Sequence, residues 1–150
     1  MKLEDEIKQK EFRSEYQKLN LNILFTNNWV QNKYRKTFEE FEVTPQQYNV
    51  LRILKGNHPK PYSTSEIRKR MLDQMSDASR IVERLIQKGL VERKTCKSDR
   101  RLVDVVITQK GLDLIEQSSH AIAFQESIFH SLTKKEAQNL NFLLDKLRGE

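Results

Sequence analysis

The sequence predicts a mainly α-helical chain with one small two-stranded β-ribbon, built around a helix-turn-helix. Apolar residues recur at helical spacing along most of the chain. Three Ser/Thr-x-x-Glu/Gln boxes mark helix starts, and only residues 90–94 and 102–108 read convincingly as strands.

From the N-terminus, Leu19, Ile23 and Val30, then Phe38 and Phe41, draw an apolar stripe along an extended helical segment. It ends at TPQQ, where Thr44 caps the next helix, Pro45 suits its first turn and Gln47 completes a capping box. That helix carries Tyr48, Val50, Leu51, Ile53 and Leu54 and stops near Gly56 and Asn57, before the proline-bearing loop HPKPY. The box Ser63-Thr64-Ser65-Glu66 opens a short helix with Ile67 and Met71 on one face. The chain turns through LDQM at 72–75, and Ser76 is the expected cap of a helix running to Lys88. In it Ala78, Ile81, Val82, Leu85 and Ile86 form a buried stripe, and Gly89 suits a left-handed stop. Val103, Val105 and Ile107 then alternate with Asp104 and Val106, the period of a half-buried ribbon. Thr108 caps a single helix expected to run through Leu112, Ile115, Ile122 and Phe129. Thr133 and Glu136 make the third box, opening a final helix with Leu140, Leu143, Leu144 and Leu147.

A chain of 150 residues is most simply one domain, able to bury roughly 68–70% of its unfolded surface without a staple. Cys96 is its one cysteine, so no intramolecular disulfide forms, which fits a reducing compartment. The start MKLEDEIKQK mixes charges and has no apolar core, unlike a signal peptide, and residues 19–32 are too short and too rich in Asn to span a bilayer. A cytoplasmic location without membrane contact is expected.

The net charge of +6 is unevenly placed. Residues 60–101 hold 12 Lys+Arg against 6 Asp+Glu, while the rest of the chain balances. All the excess therefore lies in one stretch, as on a surface that meets a polyanion; a solvated basic face is the plainer alternative.

Catalytic chemistry finds no support. His58, His120 and His130 are scattered and, with one cysteine, offer no metal-ligand spacing. Four glycines make no phosphate-binding loop, and no triad assembles. The chain is expected to be no enzyme and to carry no cofactor or metal.

Double-stranded DNA is the partner that the basic stretch suggests. The helix after the turn presents Ser76, Asp77, Ser79, Arg80, Glu83, Arg84 and Gln87 outside its apolar stripe. Ser79 and Arg80, near its start, suit base edges in the major groove, where Arg pairs with guanine O6 and N7. Alternatively Arg80 or Arg84 pairs with Asp77 or Glu83 on a solvated face; Arg80 favours DNA, and Arg84 stays open. Ser63, Thr64 and Ser65 suit a phosphate clamp, act only as caps, or do both. In the ribbon loop Lys94, Lys97 and Arg100 either contact phosphates or merely steer. Asp99 and Arg101 are two apart, so on an extended tip they share a side and Asp99 can orient an Arg for the minor groove.

The run "SDASRIVERLIQKGLVERKTCKSDRRLVDVVITQKG" resembles the recognition helix and wing of the MarR (multiple antibiotic resistance regulator) family, with "RLIQKGLVER", a basic loop ending in "DRR", a hydrophobic strand and "T-x-K-G" in order. The chain is also similar in length and element order. The resemblance implies a winged helix-turn-helix over about 44–108, flanked by dimerisation helices at about 4–42 and 109–148. It implies a homodimeric repressor on a palindromic operator, released in many members by a small aromatic or an oxidant. Carried over, residues 76–84 read the major groove, and Asp99 and Arg101 match the family's Asp-x-Arg at the wing tip.

Ile7, Phe12, Tyr16, Phe124, Ile128, Phe129, Leu132, Phe142 and Leu147 make the terminal helices too apolar to stand alone. They bury one another within the chain or, as the resemblance implies, across a dimer. Phe25, Trp29 and Tyr48 are most simply core; the other reading places them in a cleft that takes an aromatic effector. Cys96 has cationic neighbours that would lower its pKa, but relatives that sense oxidants usually carry their cysteine in the first helix, so it reads as incidental. The rival function is a winged-helix protein-interaction module that never touches DNA, which would need neither the localised charge nor the Arg-tipped loop.

Overall fold

The computed structural model describes residues 1–95 and 103–149. Its elements run α1 (Leu3–Glu6), α2 (Glu15–Glu39), α3 (Pro45–Asn57), β1 (Tyr62–Ser63), α4 (Thr64–Arg70), α5 (Ala78–Gln87), β2 (Val91–Thr95), β3 (Val103–Ile107), α6 (Gln109–Gln117), α7 (Ser119–Ser127) and α8 (Lys134–Leu147). No described helix is long and apolar enough to cross a membrane.

All three sequence boxes form. Thr44, Ser63 and Thr133 each accept the backbone N–H three residues on, and Gln47, Glu66 and Glu136 each return a bond to the cap's own N–H. These reciprocal bonds satisfy N–H groups that a helix start would otherwise leave orphaned. α3, so fixed, is the hub: α2, α4, α5, α6 and β3 pack against it. Val50, Leu51 and Leu54 of α3 are sealed from solvent together with Phe38, Ile67, Val82, Leu85 and Val105. Gly89 ends α5 at φ +71, where a Cβ would be strained.

Several expectations give way. The sheet has three strands, not two, in the order β1-β3-β2, with both neighbours antiparallel to β3. Tyr62 lies opposite Val105, and the β2–β3 register runs from Val91 opposite Ile107 to Thr95 opposite Val103. Because β3 is central, Val105, Val106 and Ile107 are all buried, so the expected alternation fails at Val106. The cap of α5 is Asp77, whose Oδ1 accepts from the Arg80 N–H at 3.0 Å, and not Ser76, whose hydroxyl donates to Asp73 Oδ2 at 2.6 Å. The single helix expected after Thr108 is two. It breaks at Ser118, which is fully buried with its Oγ 3.1 Å from both the Ile115 carbonyl and the Tyr48 hydroxyl.

α6 is seated tightly on the sheet. A Cβ on Gly111 would lie 2.3 Å from the Leu90 carbonyl oxygen and 2.7 Å from Ile107 Cγ1. In Gly111→Ala, helix propensity contributes about 1 kcal/mol in favour, whereas forcing α6 off a backbone oxygen costs about 3 kcal/mol. A net loss of about 2 kcal/mol in urea unfolding is expected from those two terms. An unchanged midpoint would mean that α6 can shift freely on the sheet.

α8 carries its apolar residues outward: Leu140, Phe142, Leu143 and Leu147 are all exposed, and no residue of the helix is buried. The stripe of α8 is therefore not buried within this chain, and Tyr16, Phe124 and Phe129 are exposed as well, whereas Ile7, Phe12, Ile128 and Leu132 are half-buried.

Candidate nucleic-acid interface

The turn between α4 and α5 is held rather than loose. The Leu72 N–H donates to Asn49 Oδ1 of α3 at 3.2 Å, and the Met75 N–H donates to Asp73 Oδ1 at 3.1 Å. The Ser76 hydroxyl bond, foremost, and the Met75 N–H bond hold the Asp73 carboxyl below its usual range, so the turn's anchor is a carboxylate. The Ser63 N–H and then its hydroxyl likewise depress Glu66 at the start of α4.

Between the N-terminal ends of α4 and α5 this arrangement leaves an open groove of about 520 Å³. Thr64 and Ser65 line one side and Ser76, Asp77 and Ser79 the other, so residues predicted from two separate segments meet in one place. Ser63 does not line it; its hydroxyl is engaged in the capping box.

Arg80 and Arg84 are exposed on α5. The carboxylates proposed as their intrachain partners are used elsewhere: Asp77 caps the helix, and Glu83 pairs with Arg93 of β2. Among the described residues neither guanidinium is in an ion pair. Lys94 is exposed on β2 and opposite Asp104, a favourable cross-strand pairing of charges. Cys96, Lys97, Asp99, Arg100 and Arg101 lie outside the described residues.

Besides buried Ala78, three groove residues, Arg68, Gln74 and Met75, escaped the sequence reading. Arg68 lies one helical turn beyond Thr64, a spacing that could have flagged it. Arg70 instead stacks over the Tyr62 ring at 4.2 Å, so of the neighbouring cations Arg68 is the one that reaches the groove. Met75 also lines it, and nothing in the sequence marks an apolar residue as exposed.

The three candidate effector residues are not brought together. Tyr48 is core, its ring 4.3 Å from that of Phe38 and its hydroxyl against Ser118. Phe25 and Trp29 are half-buried on α2. A second hollow of about 400 Å³, between the end of α2 and α6, contains none of the three; Glu40, Phe41, Lys110 and Asp113 help to line it.

Comparison with known proteins places the fold in a family. The model of the MarR family matches residues 41–102. The chain is 31% identical over 122 residues to the HTH-type transcriptional repressor IacR of Pseudomonas putida, covering 77% of this chain and 71% of that protein. It is similar to the crystal structure of a MarR transcription factor from Planctomyces limnophilus, with TM-score 0.70 and 30% identity, over 90% of this chain and 98% of the other. A mutant MarR from E. coli complexed with operator DNA shares the fold at TM-score 0.79 and 24% identity, over 92% and 99% of the two chains.

Proposed function

The chain belongs to the MarR family of transcription regulators, and from that premise we propose that it represses transcription as a homodimer on a palindromic operator in duplex DNA. The observation that carries this reading is the groove between α4 and α5, beside two exposed arginines that are in no ion pair among the described residues. A helix that enters the major groove needs its cations free and its first turn accessible.

On this reading Ser76, Asp77, Ser79, Arg80 and Arg84 face base edges and the phosphates beside them. Thr64 and Ser65 clamp a phosphate at the start of α4, Ser63 caps that helix rather than joining the clamp, and Lys94, Lys97 and Arg100 meet the backbone. The whole of residues 1–150 acts as one domain, with a winged helix-turn-helix over about 44–108 and dimerisation segments at about 4–42 and 109–148. The protein works in the cytoplasm, without enzymatic activity. A small aromatic effector releases it by acting on the α2 surface of Phe25 and Trp29, apart from Tyr48, which packs in the core against Phe38.

Selection from random duplexes, followed by footprinting, tests the reading; failure to enrich any duplex rejects it in favour of a protein-interaction module. Arg101→Ala is expected to weaken binding to the selected duplex by about 1–3 kcal/mol, the range of one specific contact. Asp99→Ala separates position from charge. If Asp99 holds Arg101 in place, binding weakens despite the added positive charge, and tighter binding would reject that role.

A further inference from the structure

Met75 is 95% exposed in a turn whose backbone is held by hydrogen bonds. Its own N–H is bonded to Asp73, and the next residue's hydroxyl is bonded to the same carboxylate. The side chain is thus presented to solvent by an ordered turn. It also lines the groove described above, beside Ser76 and Ser79, where the remaining accessible lining is polar or charged. The other large apolar residue of the turn, Leu72, is 91% exposed but does not line the groove.

Base edges in the major groove are donors and acceptors with one apolar exception, the C5-methyl group of thymine. Building on the DNA-binding reading, we propose that Met75 is a specificity-determining residue that reads a thymine methyl at the edge of the sequence contacted by α5. The unbranched, polarisable thioether chain suits this task, since it can fill an irregular gap between the methyl and the sugar-phosphate wall. Ser76 and Ser79 beside it supply hydroxyls for the polar edge of the same or the adjacent base pair. The turn then adds a hydrophobic requirement that hydrogen-bonding residues cannot express.

The test uses a duplex enriched by the full-length wild-type protein, with each thymine of one half-site replaced in turn by deoxyuridine. That change removes only the methyl. At one position the wild-type protein should bind about fourfold more weakly, the factor that corresponds to burying one methylene-sized group. Met75→Ala should lose a similar factor on the thymine duplex and show no further loss on the deoxyuridine duplex. Leu72→Ala should keep the full wild-type discrimination. Wild-type binding indifferent to every methyl overturns the proposal while leaving DNA binding intact. So does a Met75→Ala variant that keeps the wild-type discrimination, which would show that another residue reads the methyl. Failure to enrich any duplex overturns the DNA-binding reading itself, and this proposal with it.

Discussion

Raising the salt from 50 to 200 mM is expected to weaken binding to a selected duplex by about 10³–10⁵-fold, as for a protein that makes roughly 6–10 phosphate contacts. The excess charge of the chain lies entirely within residues 60–101, the stretch that holds α4, α5 and β2. A dimer doubles it. The fold also decides which cations take part. Arg80 and Arg84 have no intrachain carboxylate to give up among the described residues, so each contact they form releases counterions without breaking an ion pair. Arg93 differs, because Glu83 already neutralises it. Arg93→Ala should therefore change the salt slope less than Lys97→Ala, which should flatten it by about one unit and weaken all sequences alike. Titrations across the salt range check this, and a salt-independent affinity would reject a phosphate-dominated interface.

Removing residues 133–150 should abolish the dimer and lower operator affinity by about 10²–10⁴-fold, the usual gain from holding two linked sites at once. The truncation takes away α8, whose Phe142 and Leu147 are 62% and 59% exposed in the single chain. A stripe of large apolar side chains kept in water indicates a surface that is covered in the working assembly. Since none of its residues is buried, its loss should spare the core around α3, and the truncated chain should stay folded. Light scattering separates the outcomes, with far-ultraviolet circular dichroism as the folding control. An intact dimer with full affinity would show that α8 plays no part in assembly.

What the sequence made legible was local. The boxes at Thr44, Ser63 and Thr133 each need two residues three apart, and all three form. The stripe of α5 needs only its own spacing, and Ala78, Val82 and Leu85 are buried. What stayed hidden depends on distant partners or on competition between neighbours. The break at Ser118 involves Tyr48, seventy residues earlier. β1 is two residues long, too short to display a period, and exists through pairing with β3. Ser76 and Asp77 are both good caps by type; Asp77 takes the role, and the serine hydroxyl bonds to Asp73 instead. In the interface, the polar residues at the starts of α4 and α5 were recognisable by chemistry. Met75 was not, because apolar character ordinarily signals burial.

The division of labour along α5 bears on how such a regulator acquires new targets. Ala78, Val82 and Leu85 hold the helix in the core, and Asp77 caps it, whereas the side chains of Ser79 and Arg80 are exposed and support no described part of the fold. Substitutions at exposed positions of that kind usually change stability by no more than about 0.5 kcal/mol. If the proposed contacts of Ser79 and Arg80 hold, a duplicated gene can drift at these two codons, sampling new operators while its product stays folded. Asp77 lies two residues away and has no such freedom, since losing a cap costs about 1 kcal/mol. Divergence among paralogues of this chain should accordingly concentrate at 79 and 80 and leave 77 within the small set of capping residues.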